Sequence, residues 1–180
     1  MDPELPQTMG YEAAGVVDEI GDGVIGTEVG DRVFGVGGAG AAQAELAVLS
    51  SWARIPDSLD FAGAAAVPSS AETAARALDQ LGVTAGSTVL INGASGIVGA
   101  AAVQFAVHRG VRVIGTGSPA THDYLRGLGA EPVAYGDGLS DRVVRSRPRA
   151  STWPWMSPAA VCWPAADRSR GHRRSAAAWA

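Results

Sequence analysis

The amino-acid sequence predicts an α/β protein, β-rich at its start and built from alternating strands and helices further on. Three observations predict it. Residues 10–50 hold short β-branched runs separated by glycine-rich turns, residues 58–83 change to alanine-rich stretches of helical character, and residues 87–135 alternate strand, helix, strand, helix, strand. The last pattern is the sign of a parallel sheet covered by helices. With 47% apolar and 18% charged residues, the 180-residue chain has the composition of a soluble globular protein, long enough for the core of one domain or parts of two.

Each element has a local reason. "YEAAGVVDEI" (11–20) has a β-branched centre and runs into "GDG", a strand leading to a tight turn. "DRVFGV" (31–36) and "AQAELAVL" (42–49) read as two further strands with a glycine-rich connection. "SLDFAGAAAV" (58–67) and "SSAETAARALDQLGV" (69–83) read as helices, with Ser or Asp at their starts and Gly82 after the second. "STVLIN" (87–92) is a buried-strand pattern and "IVGAAAVQFAVHRG" (97–110) a helix ending at glycine. "VRVIGT" (111–116) is a strand, "PATHDYLRGLG" (119–129) a helix and "EPVAY" (131–135) a short strand. There is no internal repeat.

Composition sets aside several classes. A formal charge of −4 offers no broad cationic surface for nucleic acid. No apolar run approaches the roughly 20 residues that span a bilayer, and "MDPELPQT" lacks a basic-then-apolar signal pattern, so a cytoplasmic protein without membrane or nucleic-acid partners is expected. The only cysteine, Cys162, leaves no internal disulfide and no cysteine cluster for structural zinc. All 14 cations are arginine, which with the abundant alanine and glycine points to GC-rich codons.

The stretch that carries chemistry is "VLINGASGIVGAAAVQFA" (89–106). Glycines at a strand-to-helix turn can place a phosphate against the free N–H groups that begin the helix. In "NGASGIVG", Ala94, Gly96 and Gly99 take the three small-residue positions of the dinucleotide fingerprint. Ala94 allows the tight turn, Gly96 lets a pyrophosphate approach the backbone, and Gly99 lets the helix pack closely on the sheet. The turn follows a strand and opens a helix, as the fingerprint requires, against the alternative of a merely structural turn. Ser95 is not a nucleophile elbow, because Ile97 stands where that motif needs glycine. A P-loop needs a lysine, and the chain has none.

The second strand of the alternating region ends in "GTGSPATH", where an NAD site usually carries an acidic residue for the ribose hydroxyls. No acid is present. Ser118 and His122 can instead donate to a 2′-phosphate, which favours NADPH over NADH. In the other reading, Ser118 caps the next helix and His122 is a solvated surface residue.

"MGYEAAGVVDEIGDGV", "VGDRVFGV", "AETAARALDQLGV", "VLINGASGIVGAAAVQFA" and "LGAEPVAY", in this order, resemble the zinc-free quinone oxidoreductase branch of the medium-chain dehydrogenase/reductases over residues 5–144. The resemblance implies a partial GroES-like catalytic domain (1–70), a truncated Rossmann NADPH-binding domain (71–144) and an irregular C-terminal tail (145–180), with the cofactor between the two domains. It implies that Thr73 lies beside the cofactor, that the turn from Ala94 through Ser95, Gly96, Ile97 and Val98 to Gly99 holds it, and that Ser118, His122 and Tyr135 surround the 2′-phosphate. His122 stands where lysine or arginine is often found. Zinc-dependent members carry a histidine where this chain has Tyr11, and a neutral phenol rarely binds zinc, so no metal is expected.

The implied reaction is hydride transfer from NADPH to a quinone or an α,β-unsaturated carbonyl, whose conjugation already spreads the developing negative charge. No proton donor is legible, and Asp31 and Arg32 in "GDRV" read as structural turn residues. The family's chains extend further at both ends and are often homodimeric. Little or no turnover is therefore expected of this chain alone, and the implied dimer interface is missing. Two other classes stay open: a non-catalytic nucleotide-binding fragment, and an interaction module acting through the tail.

Residues 145–180 hold seven of the 14 arginines and four of the five tryptophans, with one acid, Asp167, and no strand or helix period. The parallel sheet is therefore expected to stop after three strands. The codons suggest why. "TWPWMS" (152–157) corresponds to ACN TGG CCN TGG ATG and a serine codon. Read from the last base of each codon, with TCN for Ser157, it encodes Leu/Met/Val, Ala, Leu/Met/Val, Asp, Val. Extended back to Val144, the same frame permits "ALAPAGVDVALDVAG", an apolar alternation resembling the fourth-strand region of the family. The hypothesis is that residues from about 144 onward are an aberrant, frameshifted and disordered tail on an ordinary oxidoreductase sequence. Resequencing the DNA tests it: the other frame should continue as a Rossmann half, and an immediate stop codon there would refute it.

Overall fold

The computed structural model describes residues 8–37, 41–146 and 160–162. The chain divides into two compact units, Met1–Glu72 and Thr73–Ala180.

In the first unit, β1 (Glu12–Val16), β2 (Arg32–Val36) and β3 (Ser51–Arg54) form an antiparallel sheet in the order β1-β2-β3. Phe34 lies opposite Ala14 on one side and Ala53 on the other. β1 stops at Val16 rather than Ile20, because "DEIGD" (18–22) brings three acids and a glycine that suit a pleated surface poorly. The third strand is not at 42–49 as expected. That stretch, with three alanines, a glutamine and a glutamate in eight residues, has weak strand preference, and its start bonds elsewhere: Ala42 N–H donates to Gly10 O (3.1 Å) and Gln43 N–H to Met9 O (2.8 Å). The pairing falls instead to "SWAR", where Trp52 Nε1 donates to Thr27 Oγ1 at 2.9 Å.

Asp31 and Arg32 have structural uses. Asp31 Oδ2 accepts from Glu28 N–H (2.8 Å) and from the Arg54 guanidinium (2.7 Å). Arg32 donates to Leu59 O (2.9 Å) and lies 4.8 Å from the centre of the Phe61 ring. The short helix α1 (Phe61–Ala65) is capped by Asp60, whose carboxylate accepts from Gly63 N–H at 2.7 Å. α2 (Pro68–Gln80) opens on proline, whose missing N–H and fixed φ suit a first helical position.

The second unit is a parallel sheet of β4 (Thr88–Asn92), β5 (Arg112–Gly117), β6 (Glu131–Ala134) and β7 (Ala160–Cys162) in the order β6-β5-β4-β7. Ile91 pairs with Gly115 and Val161, and Thr116 with Val133. α3 (Ile97–His108) follows β4, and a 3-10 turn (Pro119–Thr121) running into α4 (His122–Gly127) follows β5. Val89, Ile91, Val103, Val113 and Leu125 form one buried core with Ala74 and Leu78 of α2. Each large member contributes about 1.5–3 kcal/mol on burial. α3 presses Ala102, Val103 and Ala106 into that core and leaves Gln104, Val107 and His108 exposed on its other side.

Two elements correct the sequence reading. The sheet does not stop after three strands: Ala160–Cys162 pairs parallel with β4, Leu90 opposite Ala160. β6-β5-β4 has the 3-2-1 strand order of a Rossmann mononucleotide-binding half, and β7 lies beside β4 in the place of the fourth strand. The helix α5 (Leu139–Arg145) was also not anticipated, being short and preceded by Gly138 at φ +73°. Apart from residues 145–146 and 160–162, the expected frameshifted tail lies outside the described residues. Among the described residues, no helix is long and apolar enough to cross a membrane.

Candidate functional site

At the carboxyl edge of the parallel sheet, β4 ends at Asn92 and the chain turns sharply into α3. Gly93 adopts φ +70°, so the left-handed residue of the turn is Gly93, next to the Ala94 that the fingerprint places at the tight turn. Ala94 is fully buried beneath the turn, its N–H donating to Thr116 O at 2.9 Å. Its role is packing. The "NG" pair was a turn signal that could have identified Gly93.

Gly96 N–H donates to Gly93 O (3.0 Å), and Gly96 is the N-cap of α3 without any side-chain capping bond. The next amides, from Ile97 to Gly99, begin a helix of 12 residues and have no partner within it, which leaves a cluster of donors at a positive helix end. Gly99 is required by close packing: a Cβ there would lie 2.8 Å from Ala94 Cα and 3.0 Å from Ala94 C. Gly96 differs. It is exposed, its φ −76° and ψ 168° suit any residue, and a Cβ would meet only Gly93 O, at 3.3 Å. A serine or aspartate there would cap the helix with its side chain.

The other candidates lie along the same edge. Thr73 lines a hollow with Ile91, Asn92, Val98 and Gly99, which brings it to the base of the turn. A Cβ on Gly117 would come 3.7 Å from Ser95 Oγ, so the turn adjoins the end of β5. Ser118 follows directly, in the N-cap position of the 3-10 turn, but its hydroxyl makes no capping bond. His122 opens α4, and its Nε2 is shut off from solvent without a hydrogen-bond partner. A buried unpartnered ring nitrogen is costly, and it is not what a solvated surface histidine shows. Tyr135 is exposed just beyond β6. Its loop is pinned by Arg142, whose guanidinium donates to the carbonyls of Ala134 (3.0 Å), Tyr135 (3.3 Å), Gly136 (3.2 Å) and Asp137 (2.7 Å). No sequence signal marked Arg142. In the first unit Tyr11 is exposed, and among the described residues no three His, Cys, Asp or Glu side chains converge as for a metal.

Residues 1–67 match the family model of the alcohol dehydrogenase GroES-like domain. The chain is 45% identical over 127 residues to the polyketide synthase GfsB of Streptomyces halstedii, covering 70% of this chain and 2% of the synthase. It is 40% identical over 117 residues to the quinone oxidoreductase of Rattus norvegicus, covering 63% of this chain and 36% of the relative. The crystal structure of Escherichia coli quinone oxidoreductase complexed with NADPH superposes with a TM-score of 0.67 at 29% identity, covering 81% of this chain and 46% of that one. The chain thus spans less than half the length of each of these proteins.

Proposed function

The chain belongs to the medium-chain dehydrogenase/reductase superfamily, on its quinone oxidoreductase-like side, and from that premise we propose that it binds NADPH at the glycine-rich turn and serves the reduction of a quinone or another conjugated carbonyl. The observation that carries the reading is Gly96. Its dihedral angles do not call for glycine, a Cβ there would press only on Gly93 O at 3.3 Å, and it stands bare beside the free amides of a helix start. A pyrophosphate lying against the backbone is the reason for that.

The residues present fit such a cofactor. The amides of Ile97, Val98 and Gly99 would hold the pyrophosphate. The Ser118 hydroxyl, which makes no capping bond, would donate to a 2′-phosphate, and His122 at the start of α4 would adjoin it. Thr73, in the hollow at the base of the turn, would border the rest of the dinucleotide. When bound, NADPH supplies a hydride to the electron-poor carbon of the acceptor. This chain's part is to bind and orient.

Fluorescence titration of the purified chain tests the reading. NADPH is expected to bind about tenfold more tightly than NADH, the worth of one charge-assisted contact. Equal affinities would remove the 2′-phosphate assignment. A second reading is favoured by the higher identity to GfsB: a reductive segment of a polyketide synthase, acting on a conjugated acyl chain. The flanking DNA separates the two, since a synthase of which this match is a 2% share would continue far beyond it.

A further inference from the structure

Thr116 is the one fully buried polar residue among the described core, and it stands in the strand next to the turn. A hydroxyl without access to water is tolerated only when its donor and acceptor are both used. Both are used here, and both on the turn. Thr116 Oγ1 donates to Asn92 Oδ1 at 2.5 Å and accepts from Gly93 N–H at 2.9 Å, while Thr116 O accepts from Ala94 N–H at 2.9 Å. One residue of β5 therefore grips three consecutive residues where β4 gives way to the turn. The pairing of β4 with β5 ends at Ile91 and Gly115, one step earlier, so the side chain takes over where the regular ladder stops.

What it grips is the pivot of the site. Gly93 holds the left-handed conformation, and its carbonyl accepts from Gly96 N–H. Both peptide planes of Gly93 are tied to Thr116: the hydroxyl holds the Asn92–Gly93 plane through Gly93 N–H, and the main-chain carbonyl holds the Gly93–Ala94 plane, whose oxygen accepts from Gly96 N–H, through Ala94 N–H. We propose that Thr116 is a positioning residue for dinucleotide binding, its hydroxyl locking the Gly93 peptide so that the amides of the turn face one pyrophosphate. This rests on the dinucleotide reading above. Thr116 touches no ligand in this account; it acts through Gly93.

The test uses the full chain with Thr116→Val, which keeps the shape and removes the hydroxyl, and Thr116→Ser, which keeps the hydroxyl. Amide hydrogen exchange at Gly93 and Ala94 without ligand reads the lock, and NADPH titration by fluorescence reads its consequence. In Thr116→Val, exchange at Gly93 should quicken about tenfold while that of Val113 stays as in the wild type, and NADPH should bind about tenfold more weakly. Thr116→Ser should restore both. Should the valine variant not fold, Thr116→Ala carries the same expectation with less crowding. Wild-type affinity for NADPH in a folded variant without the hydroxyl overturns the positioning role and leaves the dinucleotide reading standing. Absence of NADPH binding by the wild type overturns that reading itself, and the positioning role with it.

Discussion

Gly99→Val should strongly destabilise the second unit instead of merely weakening its ligand. A Cβ at this position would lie within 3.0 Å of two backbone atoms of Ala94 and closer still to Gly93 O. Backbone in a turn cannot swing aside as the end of a side chain can. Relief would require α3 to lift away from β4, which would open the contacts of Ala102, Val103 and Ala106 with the sheet. Overpacking of a core costs about 1–3 kcal/mol, and the rigid neighbours put this case at the upper end or beyond. Against a total stability of about 5–15 kcal/mol, that is enough to lower the unfolding midpoint by many degrees. Thermal unfolding followed by far-UV circular dichroism checks it, and an unchanged midpoint would mean that the helix start is not packed as described.

How much of this was legible in the sequence depends on the range of the interaction. β4, α3, β5 and β6 were read nearly to the residue, because buried parallel strands and a helix between them leave continuous apolar runs punctuated by glycine. The third strand of the first unit was misplaced. Its position is set by pairing with β2 and by the bonds of Ala42 and Gln43 to the segment before β1, none of which is local. At the site, the fingerprint located the turn, but the pattern of small residues could not say which of them carries the strained angle; the structure gives that to Gly93. Thr116 and Arg142 left no trace at all. A threonine in a strand and an arginine in a short helix are ordinary until the partners they reach, at residues 92–93 and 134–137, are brought beside them. The codon argument for residues beyond 144 works in the other direction, since it draws on nothing structural and remains a proposal for the DNA to answer.

Gly96→Val should behave in the opposite way to Gly99→Val. Its dihedral angles accept a β-branched residue, and the one neighbour of a new Cβ, Gly93 O at 3.3 Å, has only to give by a few tenths of an ångström. The fold should therefore survive. A valine there would stand over the amides at the start of α3, between them and anything that approaches, and hydrogen bonds from those amides to a charged pyrophosphate would be lost. Two such bonds at about 1.5 kcal/mol or more each amount to about a hundredfold in affinity. Whether the turn holds a pyrophosphate is thus decided most directly by titrating NADPH into the wild-type chain and Gly96→Val side by side, with circular dichroism to show that both are folded. The expected result is saturable binding to the wild type and a loss of about a hundredfold or more in the variant. Equal binding by the two folded proteins would place the cofactor somewhere other than this turn.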